Sequence, residues 1–243
     1  MERDDYALYG ESLFETMRLQ HGTAWLLHEH LDRLARSCSD FGWPFDVREA
    51  WHRIAAIPQG DWVVRVSVYR KGGRWSGDPG VALDVSHRPF AGHSGPLSLA
   101  LPHDRVAACD PMRRYKCGSR MHIQAMWRHA QGEGFDDALI VDHDGLVLEA
   151  STANVFFLCA GTWVTPPLAL SLLPGLVRAW VLDHGLAVEG EVTVEALSRV
   201  EACVVTNAVQ GARAVRRIST RELDMTSSLD WIAKHPEKLW QKV

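Results

Sequence analysis

Ala138-Leu-Ile-Val-Asp-His-Asp-Gly-Leu-Val-Leu-Glu149 decides how the second half of this chain folds. Two apolar runs flank His143-Asp-Gly145, and Asp-Gly supplies the positive backbone angles of a tight hairpin turn, so the stretch reads as strand, turn, strand. A further apolar run, Asn154 to Cys159, predicts a third strand and with it a meander. Beyond it, Thr165-Pro-Pro167 leads to Leu173-Pro-Gly175, which opens a helix running to about His184 and closed by Gly185. The tail reads as a run from Leu186 to Val192, a short helix opened by Thr193, a strand from Ala202 to Thr206 and a basic strand from Arg213 to Ile218. The Arg213–Arg217 run is expected on an exposed strand edge.

Working outward toward the N-terminus, a helix is expected from Arg120 to Gln131, an irregular stretch before it up to Cys117, and a short strand from Leu97 to Leu101. Arg88-Pro-Phe-Ala-Gly-His-Ser-Gly-Pro96 is rich in Gly and Pro and has no period, which marks a link between domains. Ahead of it, Ser12–Leu19 and Thr23–Leu26 form a hairpin through His21-Gly22. From His28 to Phe41 the apolar residues Leu31, Leu34, Ala35, Cys38 and Phe41 recur at helical spacing, and Gly42 ends the run. Asp46-x-x-Glu49 is a capping-box pattern for a second helix stopped before Pro58. Strands follow at Trp62–Tyr69 and Val81–Ser86, joined by a basic, glycine-rich loop over residues 70–80. The sum is an α+β chain in two lobes, residues 1–88 and 97–243 with a linker at 89–96, built from antiparallel hairpins rather than βαβ repeats.

Of the 243 residues, 47% are hydrophobic and 23% charged, which argues for packed cores and against disorder. A net charge of −4 offers no general attraction to nucleic acid or an anionic membrane, so any anion must be held by placed residues. The five Cys are odd in number, widely spaced and free of C-x-x-C, which suits a reducing cytoplasm better than a disulfide framework or a zinc ribbon. No stretch approaches the ~18 apolar residues of a membrane span, and the acidic start does not resemble a signal peptide. The expectation is a cytoplasmic protein that uses neither membrane nor nucleic acid.

Four features could carry chemistry. Lys116 stands in a basic stretch before a helix, where most lysines are solvated surface charges. Glu149 ends a strand; it either closes a hairpin or faces a heterocycle whose ring nitrogen an anion keeps protonated. Leu173-Pro-Gly175 and the helix it opens form either an ordinary helix entry or a phosphate cradle of free N–H groups. Arg33 on the first long helix is either a solvated charge or a bidentate phosphate ligand. A metal at His28 and His30 is a weak option, because positions i and i+2 do not share a helix face.

Taken in order, Tyr9-Gly-Glu-Ser-Leu-Phe-Glu-Thr16, His30-Leu-Asp-Arg-Leu34, Tyr115-Lys-Cys-Gly-Ser-Arg120, Gly134-Phe-Asp-Asp-Ala-Leu139, Asp144 to Phe156, Thr165-Pro-Pro167, Leu173 to Arg178 and Thr206 to Gly211 resemble the class IV aminotransferase family, the fold-type IV pyridoxal-phosphate enzymes. The resemblance covers about residues 9 to 218. It implies a two-lobed fold-type IV architecture like that of D-amino-acid aminotransferase, pyridoxal 5'-phosphate as cofactor, a small-molecule amine as substrate, and a homodimer with the active site between the lobes. Position by position it implies Lys116 as the Schiff-base lysine, Glu149 as the partner of the pyridine nitrogen and Arg33 as a phosphate ligand. Leu176 and Val177 fall at the phosphate-binding helix start, and Asn207 and Ala208 on the loop flanking phosphate and substrate.

Departures from the family pattern bear on the reaction. Many relatives have Thr where Val177 stands, so a backbone N–H must serve there. Asn207-Ala208 replaces the Gly-Thr of branched-chain enzymes, and Arg120-Met121 replaces their Asn-Tyr. Lys116-x-x-x-Arg120, Thr206-Asn-Ala208 and the Arg65–Arg74 strand and loop resemble 4-amino-4-deoxychorismate lyase more than the transaminases. A substrate with two carboxylates suits clustered cations, so Arg70, Lys71 or Arg74 could steer it; a solvated loop is the competing reading. A transaminase acting on D- or branched-chain amino acids, and a noncatalytic relative, are the other expectations to be separated.

Overall fold

The computed structural model describes residues 5–72, 80–92 and 95–234. These pack as two compact units: the described residues up to Gly92 together with Tyr115–Arg120, and the described remainder.

The first unit contains α1 (Asp5–Tyr9), β1 (Ser12–Gln20), β2 (Thr23–Ala24), α2 (Leu27–Asp40), α3 (Val47–Ala55), β3 (Asp61–Lys71) and β4 (Gly80–Pro89). The strands form an antiparallel sheet in the order β2-β1-β3-β4. Leu13, Met17 and Leu19 alternate along β1 and meet Leu27, Leu31, Leu34 and Cys38 of α2, spaced three to four apart, in one apolar core. At the start of α3 the Asp46 carboxylate accepts from the N–H groups of Arg48 (2.8 Å) and Glu49 (3.1 Å). Only half of the expected capping box is present, since the Glu49 carboxylate takes Arg53 Nε at 2.7 Å.

β2 is too short to cover β1: it pairs only with Leu19 and Gln20. Residues 116–118 take up the edge it leaves, with Leu13 opposite Cys117. The Phe14 N–H donates to Lys116 O and the Gly118 N–H to Ser12 O, each at 2.8 Å. A Cβ on Gly118 would lie 2.2 Å from Ser12 Oγ and 2.9 Å from Gly10 O, so this close approach requires glycine.

The second unit contains β5 (Leu97–Ala100), α4 (Met121–Gly132), β6 (Asp137–Val141), β7 (Val147–Ala150), β8 (Asn154–Cys159), β9 (Thr162–Thr165), α5 (Leu176–Asp183), β10 (Val188–Glu189), β11 (Ala202–Asn207), β12 (Gly211–Ile218), β13 (Arg221–Glu222) and α6 (Met225–Ala233). Its sheet runs β10-β9-β8-β11-β12-β5-β6-β7.

Three expectations are corrected here. The hairpin of β6 and β7 forms, but β8 does not continue a meander; it inserts between β9 and β11. The turn after β7 is fastened to β6, with Ser151 N–H on Ala138 O at 3.0 Å and Ser151 Oγ on the Asp137 carboxylate, and the chain leaves the hairpin there. The five consecutive buried residues of β8 suit an interior strand covered on both faces. A βαβ crossover is also present: β5 and β6 are parallel and joined through α4. Lastly, Arg213–Arg217 is not an exposed edge, because β12 lies between β11 and β5 with its arginines half-buried and Arg217 over the Phe135 ring at 4.5 Å.

Helices α1 and α6 lie outside the sequence expectations. α6 is capped by Asp224 and buries Trp231 against Phe156. Among the described residues, no helix is long and apolar enough to cross a membrane.

Candidate active site

Within the first unit, Lys116 is half-buried. Its pKa is lowered to about 8, chiefly by desolvation and further by Arg120, Arg33 and Arg65, against the upward pull of Glu15. Its Nζ stands 4.9 Å from the centroid of the Phe14 ring, and the Arg65 guanidinium covers that ring at 3.5 Å. Main-chain pairing to β1 fixes where the side chain starts, and Tyr115 and Cys117 on either side pack on the apolar core.

Arg33 lies where the helix α2 faces β1. Its Nε donates to Glu15 Oε1 and its Nη2 to Glu15 Oε2, both at 2.7 Å, with Glu15 almost wholly buried. The same carboxylate accepts from His30 Nδ1 at 2.6 Å, so the fork, the imidazole and the acid form one buried cluster. Burial by itself would raise the Glu15 pKa, but the Arg33 charge and the His30 contact outweigh it and hold it at about 2. Burial lowers the pKa of His30 more than Glu15 raises it, so the ring is neutral and donates through Nδ1 to an ionised carboxylate. His30 Nε2 is buried and has no hydrogen-bond partner among the described residues. His30 thus serves Glu15 rather than pairing with His28 around a metal.

Sequence reasoning passed over Glu15 as a site residue. Its signal was an acid at a core-facing position of an apolar strand, with a basic pair at i and i+3 on the neighbouring helix. Of the proposed steering residues, Lys71 is exposed, Arg70 Nε stands 3.6 Å from Glu11 Oε2, and Arg74 lies outside the described residues.

Within the second unit, four segments converge. Glu149 on β7 pairs through Oε1 with Arg113 Nη2 at 2.9 Å, and its Oε2 accepts from the Leu173 N–H at 3.3 Å. Both side chains of the pair are 5% exposed, so each charge has a partner where water is scarce. Asn154, at the start of β8, donates through Nδ2 to Leu173 O at 3.1 Å and lies opposite Thr206 of β11. Gly175 caps α5 without any side-chain hydrogen bond, and the first N–H bonded back along the helix belongs to Ala179. The N–H groups of Leu176, Val177 and Arg178 precede it and have no intrahelical acceptor. Asn207 Oδ1 accepts from the N–H groups of Val209 (3.0 Å) and Gln210 (2.8 Å), and its Nδ2 donates to Thr152 O at 3.4 Å, so the side chain ties its own turn to the segment after β7. Ala208 contributes no polar side-chain atom.

A family model described as amino-transferase class IV matches residues 12–218. The chain belongs to that family. This class IV chain is 31% identical over 180 residues to a candidate aminodeoxychorismate lyase of Schizosaccharomyces pombe, covering 72% of this chain and 74% of that one. It is 28% identical over 199 residues to a candidate branched-chain-amino-acid aminotransferase of Methanocaldococcus jannaschii, covering 74% and 67%. The fold matches that of the 4-amino-4-deoxychorismate lyase of Pseudomonas aeruginosa with a TM-score of 0.82, at 22% identity over 97% of this chain and 94% of that one. The protein is therefore an α+β enzyme of fold type IV, and the cofactor of its family is pyridoxal 5'-phosphate.

The residues present fit that cofactor. A desolvated lysine with a pKa near 8 is the amine an aldehyde requires. An uncapped helix start suits a phosphate, and a Cβ on Gly175 would fall 1.8 Å from Asn154 Oδ1, so no larger residue fits at its entry. Thr206 Oγ1, next to this entry in the sheet, is buried and has no hydrogen-bond partner among the described residues.

Proposed function

We propose that this class IV enzyme is a 4-amino-4-deoxychorismate lyase, releasing 4-aminobenzoate and pyruvate from aminodeoxychorismate. The observation that carries the reading is the pair of cations beside Lys116: the Arg65 guanidinium covers the same Phe14 ring that Lys116 Nζ approaches, and Arg120 acts on that amine too, while the Arg33 charge is met by Glu15. A substrate with two carboxylates is complementary to such a field.

When bound, pyridoxal phosphate supplies an electron sink for the bond-breaking step. Lys116 would be the amine that holds its aldehyde carbon and, when free, the base toward the proton on the amino-bearing carbon of substrate. With a pKa near 8 a useful fraction of that amine is neutral at pH 7 to 8. Glu149, held by Arg113 and the Leu173 N–H, would present its carboxylate to the ring N–H. The N–H groups of Leu176 and Val177 would take the phosphate and the Asn207-Ala208 loop would border it, while Arg33 is a phosphate ligand by the family resemblance alone. Loss of enolpyruvate requires no oxidant, and aromatisation of the remaining ring favours it. The family resemblance implies a homodimer, and the scattered, unpaired cysteines suit a reducing cytoplasm.

The deciding experiment incubates the cofactor-loaded protein with aminodeoxychorismate, and separately with D-alanine or a branched-chain amino acid plus 2-oxoglutarate. 4-Aminobenzoate should appear, and Lys116→Ala should abolish it. Keto-acid exchange without aminobenzoate would replace this reading by a transaminase.

A further inference from the structure

Away from the residues assigned to cofactor and substrate, three side chains of the second unit converge. His103 follows β5, His129 lies in the last turn of α4, and Glu133 comes one turn later on the same face. Glu133 Oε1 receives both imidazoles, His103 Nε2 at 3.0 Å and His129 Nε2 at 3.4 Å. The two rings meet edge to face with centroids 4.4 Å apart. One ligand atom from each residue lies within 4.8 Å of the others.

We propose that His103, His129 and Glu133 form a binding site for a divalent transition metal, with zinc as the best fit. Ligands at about 2.1 Å from a tetrahedral zinc are separated by roughly 3.4 Å, close to the two His–Glu distances found here. Two imidazoles and a carboxylate select zinc, nickel or copper over magnesium or calcium, which prefer oxygen ligands. The site is reachable, since all three residues are exposed and both imidazoles line a surface cleft of about 210 Å³ with Asp104 and Met126. A metal here would tie the loop after β5 to the end of α4 and so clamp the βαβ crossover.

The full-length protein, stripped of metal by chelator and dialysed free of it, is titrated with Zn2+ alone. One equivalent per chain should bind, and a hundredfold excess over Kd should raise the unfolding midpoint by roughly 5 °C. His103→Ala and His129→Ala should each weaken binding by about tenfold or more, while His184→Ala, a substitution at another exposed histidine, should leave it unchanged. Two outcomes overturn the site: no saturable Zn2+ binding, which reduces the cluster to an ordinary His–Glu pair, or binding equally strong in His103→Ala and His129→Ala. An equal rise in midpoint with Mg2+ overturns the transition-metal assignment. None of these readouts depends on the cofactor or on turnover.

Discussion

Lys116 shows what burial does to one residue. Its folded pKa, about 8, lies below the 10.5 of a free lysine, so between those values the unfolded chain carries the extra proton and stability rises with pH. Below pH 8 the half-buried charge costs roughly 3 kcal/mol in the cofactor-free protein. Lys116→Met should therefore be more stable than the parent at pH 7, and the gap should close by pH 10.5 in denaturant titrations. Glu15 has the opposite sign. Its folded pKa near 2 lies below its ordinary 4.5, so its contribution is complete above pH 4.5 and is lost as pH falls toward 2. Glu15→Gln leaves the Arg33 guanidinium buried without its counter-charge and should cost about 3–5 kcal/mol at neutral pH. That deficit should narrow below pH 4.5; a deficit independent of pH would show that packing, not charge, was lost. Lys116 and Arg33 were legible in the sequence through their motifs. Glu15 was not, because an acid in a strand reveals its role only once a helix from elsewhere in the chain is packed against it.

At the scale of elements, the short β2 matters most. By covering only Leu19 and Gln20 it leaves the edge of β1 beside residues 12–14 for residues 116–118, and Gly118 allows the two backbones to approach. Gly118→Ala should push this segment off β1, lowering cofactor affinity in a fluorescence titration and destabilising the apo protein by about 1–3 kcal/mol. Unchanged affinity would mean that Lys116 does not depend on the strand for its position. The hairpins, α2, α3 and the start of α5 were legible because each has local punctuation: His-Gly, Asp-Gly, an Asp cap, Pro-Gly. The partner of β8 was not legible, since a uniformly apolar strand carries no register or neighbour information. The same limit applies to β12, whose arginines mimic a solvated edge yet lie along the interior of a sheet with their stems half-buried.

For the molecule as a whole, composition set the class of protein and the family set the cofactor. A chain with 47% hydrophobic residues builds packed cores, which agrees with the apolar cores found in both units. The homodimer proposed from the family resemblance is tested by light scattering on the eluting protein, where a mass near twice 27.2 kDa is expected and a monomer at micromolar concentration would count against it.

The sequence by itself determined the α+β class, most of the element boundaries and the family, and it singled out the lysine, the glutamate and the helix start as site candidates, because periodicity, turn chemistry and motif spacing are local properties of a chain. Only the tertiary structure decided that Arg33 and His30 share Glu15, that Arg113 holds Glu149, and that β8 and β12 run inside a sheet. Those facts arise from residues 15 to 36 positions or more apart meeting where water is excluded, and partnership under burial is a property of the packed whole.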